Sequence, residues 1–312
     1  MIETMIEKKQ FCVPSSDGIH TLAGWVYLPK DTEPRGFFHI VHGMTEHIGR
    51  YDKILSDLAK RGWISFGYDN LGHGRTAREK NELGFIAEKR GWELLAKDVR
   101  AYSDAVRSTF GSKELPYCLM GHSMGSFIVR LAAERFVAPD RLIIMGTGGS
   151  NPIAGLGILL TKLIGVFRGK HHVSPLVLKL SFGNYNGRGT AEETEIPGYW
   201  LTRDVETRKK YNADPFCSFK FSVSAMGDLI RLLKEVNRTA WFQRISADLP
   251  ILLISGEEDP VGDYGKGIRQ VESRLQTNGK NVTCKLYPEA RHEILNDFIY
   301  DEVFGDILSF VE

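Results

Sequence analysis

The sequence lacks several features that assign a protein to a specialised class. Its four cysteines are spread over 312 residues and form no C-x-x-C pair, so they predict reduced, mostly buried thiols and no disulfide framework or zinc site. No apolar run reaches the roughly eighteen residues that a membrane-spanning helix requires. Residues 1–10 alternate charged and apolar side chains and lack the apolar centre of a secretory signal. We therefore expect a cytoplasmic protein.

The sequence also has no excess of either charge. Forty Lys and Arg residues face 39 Asp and Glu residues, which leaves a net charge of +1. Nucleic-acid-binding proteins usually carry a basic excess or a basic stripe, so we expect no nucleic-acid partner. A hydrophobic fraction of 42% is ordinary for a globular protein, and the chain length suits an α/β domain with an insertion. Nothing in the sequence indicates an oligomeric state.

Strand and helix patterns alternate along most of the chain. A hairpin pattern over residues 11–28 is followed by short apolar runs that are typical of buried strands, at residues 36–41, 63–68, 117–120, 141–146, 250–255 and 282–287. Helical spacing separates most of these runs. The alternation predicts an α/β fold with a mostly parallel, eight-stranded sheet flanked by helices on both faces.

The alternation is interrupted after the sixth predicted strand. Between residues 150 and 248 no strand pattern of the sheet type occurs. We predict a helical cap at residues 150–225, laid over the open end of a core formed by residues 1–149 and 226–312. The apolar segment at residues 153–167 has two compatible interpretations. It lines an acyl pocket and meets a lipid surface, or it forms the packed underside of the cap.

The segment Gly121-His122-Ser123-Met124-Gly125 has the pattern G-x-S-x-G. It lies between a predicted strand and a predicted helix, which is the setting that presents a serine at the top of a sheet. The flanking glycines leave room for a strained turn. A Gly-Ser turn without chemical consequence is the alternative. The strand–turn–helix context leads us to interpret Ser123 as a nucleophile.

Candidates for the partner groups follow the last two predicted strands. A serine needs a base to remove its proton, and an imidazole in turn needs a buried carboxylate. Asp259 and His292 give the chain order serine, aspartate, histidine that sheet hydrolases use. Glu257 and Glu258 are competing acids, but the third position after Gly256 is where the turn should point inward. The alternative for His292 is a surface histidine.

The loop that follows the third predicted strand, residues 42–47, suits an oxyanion hole. In hydrolases with this serine turn, that loop supplies one backbone donor and the residue after the serine supplies the other, so we assign the N–H groups of Met44 and Met124. Losing one such donor costs about 3–4 kcal/mol in comparable sites. The rival interpretation is a metal cluster of three loop histidines, His42, His47 and His73. No acidic ligand lies at a recognisable metal-binding spacing from them, so we expect no metal and no organic cofactor.

Five segments together resemble the motifs of one family, at residues 42–47, 69–74, 121–126, 256–261 and 291–293. The chain resembles the monoacylglycerol lipase and lysophospholipase branch of the α/β-hydrolases, which is grouped with serine aminopeptidase-like (S33) proteins. The resemblance runs from about residue 10 to the end. It implies an α/β-hydrolase fold with Ser123 as nucleophile, Asp259 as acid and His292 as base, and with Met44 and Met124 forming the oxyanion hole.

The resemblance implies a serine hydrolase that cleaves carboxylic esters of single-chain lipids, monoacylglycerol or lysophospholipid, through an acyl-enzyme intermediate. We expect a small lipid-like ester as substrate and transient contact of the cap with a membrane surface. One alternative is an aminopeptidase, which needs an acid in the cap to hold the substrate ammonium; the candidates are Glu192, Glu193, Glu195 and Asp204. Another is a non-catalytic ligand receptor on the same fold.

Overall fold

The computed structural model describes residues 5–312. Residues 1–4, which begin both the stretch inspected for a signal sequence and the predicted core, lie outside the described residues. One sheet with strand order β1-β2-β4-β3-β5-β6-β7-β8 runs through the molecule. Its strands are β1 (Ile6–Pro14), β2 (Thr21–Pro29), β3 (Gly36–Val41), β4 (Trp63–Tyr68), β5 (Tyr117–His122), β6 (Arg141–Met145), β7 (Ile251–Gly256) and β8 (Val282–Tyr287).

The sheet is parallel except at one edge. β1 pairs with β2, and β2 pairs with β4, in antiparallel register, whereas β4, β3, β5, β6, β7 and β8 run parallel to one another. Every residue of β3, β4, β5 and β7 is buried, as expected where helices cover both faces. The predicted eight-stranded, mostly parallel sheet is confirmed.

Helices form a layer on each face of the sheet. Within residues 5–312 they are α1 (Asp52–Lys60), α2 (Gly91–Phe110), α3 (Met124–Arg135), α4 (Ala154–Arg168), α5 (Pro175–Phe182), α6 (Val205–Ala213), α7 (Val223–Val236), α8 (Thr239–Arg244), α9 (Lys266–Thr277) and α10 (Tyr300–Val311). α1 and α10 pack on one face. α2, α3, α7, α8 and α9 pack on the other. None of the helices in the described part of the chain combines the length and apolarity needed to cross a membrane.

Helices α4 to α8 fill the interval between β6 and β7. α4 lies along α7, and the two backbones approach closely at glycines: a Cβ on Gly227 would stand 2.9 Å from Thr161 Oγ1. The apolar spacing of residues 226–236 predicts the helix that returns from the cap to the core. It begins at Val223 because the Ser222 hydroxyl accepts a hydrogen bond from the backbone N–H of Ala225 at 3.2 Å.

Three further details differ from the sequence prediction. α5 and α8 were not predicted, although Ser174 and the proline that follows it form a recognisable helix start. The amphipathic pattern of residues 297–311 predicts a closing helix, but α10 begins at Tyr300, because the Asp297 carboxylate instead binds the Arg203 guanidinium, with Nη2 and Oδ1 2.7 Å apart. All four cysteines are free, but only Cys118 and Cys217 are buried, so the expectation of mostly buried thiols was half right.

Candidate active site

The serine of the G-x-S-x-G segment lies on a strained turn between β5 and α3. Ser123 has φ 55° and ψ −121°, a left-handed conformation that a residue with a side chain rarely adopts. Both glycines are needed for space. A Cβ on Gly121 would stand 2.2 Å from the carbonyl oxygen of Gly125, and a Cβ on Gly125 would stand 2.1 Å from that of Val41. The turn therefore matches the setting predicted for Ser123.

The predicted acid and base meet beneath this turn. His292 Nδ1 lies 2.9 Å from Asp259 Oδ2, and both side chains are buried. Burial by itself would raise the pKa of Asp259, but the His292 imidazole, the Val261 N–H and the Ser255 hydroxyl hold it below its ordinary value. Asp259 is thus a carboxylate that fixes the orientation of the imidazole.

The other ring nitrogen of His292 is not engaged by the described part of the chain. His292 Nε2 is buried and has no hydrogen-bond partner among residues 5–312, and Ser123 lines the same cavity as His292. No hydrogen bond joins the two side chains; such bonds are often long before substrate binds. The competing acids lie elsewhere: Glu257 is exposed, and Glu258 pairs with Arg188 at 3.2 Å.

The loop after β3 lies against the serine. A Cβ on Gly43 would stand 3.0 Å from Ser123 Cβ, and Met44 and Met124 both line the cavity beside the serine. In the described part of the chain, no protein acceptor receives the N–H of Met44 or Met124. Both donors are therefore available to an oxygen atom in the cavity.

A buried charge network that the sequence analysis missed holds this loop in place. Glu46 accepts hydrogen bonds from the Gly43 N–H at 2.6 Å, the Tyr51 hydroxyl at 2.9 Å and Arg50 Nη1 at 2.8 Å. His122 Nδ1 lies 3.2 Å from Glu46 Oε1, and His122 Nε2 lies 3.2 Å from the carbonyl oxygen of His292. The network links the loop after β3, the turn that carries Ser123 and the loop that carries His292.

Electrostatics keeps this network charged. Burial would raise the pKa of Glu46, but His122 and Arg50 lower it well below its ordinary value. Burial would lower the pKa of His122, and Glu46 raises it instead. Arg50 also forms a two-pronged ion pair with Glu293, with both N–O distances 2.6 Å. Two features of the sequence could have indicated this network. Glu46 and Arg50 are four residues apart, and Glu293 directly follows His292.

A cavity of about 1140 Å³ opens above Ser123. His292 and Trp200 both line it. The ring of Trp200 lies 5.1 Å from the ring of His292, and the Trp200 carbonyl accepts the His292 N–H at 3.3 Å. The larger part of the cavity surface is apolar. Aliphatic side chains from α4, α5 and α7 contribute to it, namely Leu156, Leu160, Val177, Leu178, Leu229 and Leu233, and polar residues such as Asp263, Lys266 and Gln270 also line the cavity. The cavity can hold an extended apolar chain against the serine.

The model of the family described as "Serine aminopeptidase, S33" matches residues 32–298. The chain belongs to this family. The monoacylglycerol lipase of Mycolicibacterium smegmatis is 25% identical over 282 residues, which cover 90% of this chain and 89% of that protein. The resemblance to the monoacylglycerol lipase branch is thereby confirmed.

Solved structures of relatives have the same fold as this S33-family chain. A thermostable carboxyl esterase from Bacillus coagulans, in complex with glycerol, is 31% identical with a TM-score of 0.90, over 99% of this chain and 98% of that one. A soluble variant of monoglyceride lipase from Saccharomyces cerevisiae, in complex with a substrate analog, has a TM-score of 0.73 at 19% identity, over 100% and 96%. The predicted α/β-hydrolase fold is confirmed.

The four cap acids that were candidates to hold an aminopeptidase substrate do not line the cavity of this S33-family chain. Glu192, Glu193, Glu195 and Asp204 are all absent from its lining. The Glu193 carboxylate lies 3.6 Å from Arg291, and Asp204 caps the start of α6 by accepting the Glu206 N–H at 2.9 Å. Their positions leave a substrate ammonium without a partner from this set.

The rival histidine cluster does not form. The rings of His42 and His73 pack edge to face at 5.2 Å, and every nitrogen of both rings is bonded to a backbone group. Burial lowers the pKa of His42 to about 4 and that of His73 to about 3, so both rings are neutral. His47 is directed away from both and lies 3.0 Å from Asp214.

Proposed function

We propose that this chain hydrolyses carboxylic esters of single-chain lipids, a monoacylglycerol or a lysophospholipid, with Ser123 as the nucleophile. The chain is a carboxylic ester hydrolase, since it is 31% identical to a carboxyl esterase across 99% of its length and similar to a monoacylglycerol lipase across 90%. The observation that supports the lipid part of the proposal is the mainly apolar cavity of about 1140 Å³ that Ser123 shares with His292.

The proposed reaction has two stages. Ser123 Oγ attacks the acyl carbonyl carbon while its proton passes to His292 Nε2, and Asp259 stabilises the imidazolium through Nδ1. The negative oxygen of the tetrahedral intermediate is held by the N–H groups of Met44 and Met124. The alcohol leaves with the proton from His292. Water then releases the fatty acid by the same steps, with His292 as the base.

We propose that residues 150–225 act as a cap and that the enzyme works in the cytoplasm at lipid surfaces. α4 and α5 expose large apolar residues that do not line the cavity: Leu159, Leu163, Val166, Phe167 and Leu176. Arg168 ends α4, and Lys170, His171 and His172 follow it. An apolar face with a basic border suits transient contact with an anionic membrane surface.

A series of nitrophenyl esters from acetate to palmitate, followed by monoacylglycerol and lysophospholipid, tests this proposal. We expect the specificity constant to rise with acyl length, because each added methylene is buried in the cavity. A fluorophosphonate probe should label the wild-type protein and not Ser123→Ala. A preference for acetate with no turnover of longer acyl groups would contradict the lipid proposal. Failure to label would support a non-catalytic receptor, and hydrolysis of aminoacyl-naphthylamides would support an aminopeptidase.

A further inference from the structure

Three side chains with metal-binding atoms meet outside the cavity, where the loop after β3 faces the segment that follows α6. They are His47, Asp214 and Cys217, and their ligand atoms all lie within 4.8 Å of one another. His47 Nε2 and Asp214 Oδ2 are 3.0 Å apart. No two of the three belong to the same regular element, and His47 lies about 170 positions before the others. Sequence spacing therefore gave no sign of the cluster.

The three donors form a set that zinc accepts. Imidazole nitrogen, carboxylate oxygen and thiolate sulfur bind zinc at about 2.0–2.3 Å, which places neighbouring ligands of a tetrahedron about 3–4 Å apart. Only small side-chain shifts separate the observed arrangement from that geometry. Cys217 is buried, whereas the side chains of His47 and Asp214 remain 16% and 31% exposed. Solvent can therefore reach the open side and supply a fourth ligand.

The surrounding backbone already holds the ligands in place. Asp214 Oδ1 accepts the Phe216 N–H at 2.8 Å, which leaves Oδ2 directed at His47, and the Cys217 N–H donates to the Asp214 carbonyl at 3.0 Å. The His47 ring packs edge to face on Phe216 at 6.0 Å between centroids. A cation would find the donors at a formed turn, so little ordering would accompany binding.

The charges around the cluster also suit a divalent cation. With a metal bound, the thiolate and the carboxylate would supply two negative charges and an imidazole ligand none, which balances a charge of +2. Arg50 acts electrostatically on Asp214 and Cys217, but its guanidinium is already paired with the carboxylates of Glu46 and Glu293. Arg50 therefore adds little repulsion at the cluster.

We propose that His47, Asp214 and Cys217 bind one zinc ion, with water as the fourth ligand, and that the ion fastens the segment after α6 to the loop after β3. On binding, the thiol of Cys217 releases its proton to solvent and the sulfur bonds the metal as thiolate. None of the three ligands lines the cavity. The site is therefore separate from the proposed catalytic residues, and the proposal of zinc binding does not depend on the proposed function.

Titration of chelator-treated full-length protein with zinc chloride, followed by calorimetry, tests the proposal. We expect one equivalent to bind and the thermal midpoint to rise by about 2 °C or more at saturation. Cobalt(II) in place of zinc should produce the near-ultraviolet charge-transfer absorption of a thiolate ligand. Cys217→Ser should weaken zinc binding by roughly tenfold or more and remove that absorption. His47→Gln and Asp214→Asn should weaken binding likewise.

Two controls make the result specific to this cluster. Cys284→Ser removes a half-buried thiol elsewhere and should leave zinc and cobalt binding unchanged. His292→Ala should also leave them unchanged, which separates this site from the proposed catalytic histidine. The thermal midpoint of each variant in chelator shows whether it is folded. The absence of a saturable single site in the wild type, or unchanged binding in folded Cys217→Ser or His47→Gln, would overturn the proposal.

Discussion

The two sides of the cavity are built by different physical means. On the side of the sheet, the loops that carry Ser123 and His292 are joined by buried, charged hydrogen bonds around Glu46. On the opposite side, α4 and α5 contribute aliphatic side chains and expose others to solvent. Hydrogen bonds fix direction and distance, whereas apolar contacts fix mainly volume. The side of the sheet can hold reacting atoms at fixed distances, and the side formed by α4 and α5 can accept apolar chains of different shape.

Burial along two helices shows how unequal the sides are. In α3, which follows the serine, nine of the twelve residues are buried, Met124 to Ala132. In α4, only Ala154 and Thr161 are buried among fifteen residues. A helix with few buried contacts opens at lower free energy than one in the core. We therefore expect α4 to move before any loop on the sheet side does, and the following predictions test this contrast.

The largest effect should follow removal of the proposed nucleophile. Ser123→Ala should lower kcat on a soluble nitrophenyl ester by at least about a thousandfold, because the proposed acyl-enzyme forms on the hydroxyl that this variant removes. Ser181→Ala is the matched control, since Ser181 also lines the cavity but from α5; its kcat should stay within about twofold. Substantial turnover by Ser123→Ala would remove this serine from the mechanism.

The next effect should follow disruption of the buried network. Glu46→Gln leaves the Arg50 and His122 charges without their shared carboxylate, and we expect a loss of about 3 kcal/mol in the free energy of unfolding. Activity should fall as well, because Glu46 holds the Gly43 N–H. Glu206→Gln breaks the exposed pair with Lys209 and should change stability by less than about 0.5 kcal/mol. If urea unfolding shows equal losses of free energy of unfolding for Glu46→Gln and Glu206→Gln, the contrast between the two sides is contradicted.

The sequence predicted the parts of the site that depend on neighbouring residues. Ser123, Asp259 and His292 each come after a strand that the sequence pattern predicts, and the order of strands then brings their ends to one edge of the sheet. The ion pair between Arg50 and Glu293 joins residues 243 positions apart. No local pattern encodes such a pair, since either residue alone is typical of a solvated surface.

The insertion was harder to predict for a different reason. Its helices are short or lie half exposed, so the period of their apolar residues is weak. α5 has eight residues with only Val177 buried, and a one-sided stripe is scarcely visible. The start of α7 depends on the cap at Ser222, and helix ends are set by such single hydrogen bonds.

A smaller effect should appear in the pH dependence of stability, where two buried carboxylates are expected to behave differently. Burial raises the pKa of Asp228 to about 7, although hydrogen bonds from the N–H groups of Trp92 and Gly91 act in the opposite direction. The pKa of Asp259 is lowered. A raised pKa means that the folded state binds the proton more tightly, so the contribution of Asp228 to the free energy of unfolding falls as pH rises from about 4 to 7.

Asp228→Asn removes that titration. The difference in free energy of unfolding between Asp228→Asn and the wild type should therefore shift by about 2 kcal/mol in favour of the variant when the pH is raised from 5 to 8. Asp259→Asn should show a constant difference across the same interval, because the lowered pKa of Asp259 confines its titration to lower pH. Urea unfolding at the two pH values measures both. A parallel response of the two variants would contradict the assigned directions.

The smallest effect should appear at the exposed face of α4. Phe167 is 82% exposed, and inserting its ring into a lipid surface should contribute about 1.5 kcal/mol, so Phe167→Ser should weaken binding to anionic vesicles roughly tenfold. Turnover of a soluble short ester should not change, because Phe167 does not line the cavity. Phe298→Ser is the matched control, since Phe298 is 74% exposed but precedes α10 on the core. If both variants lose vesicle binding equally in a sedimentation assay, the membrane contact does not depend on α4, and the exposed apolar side chains of that helix need another explanation.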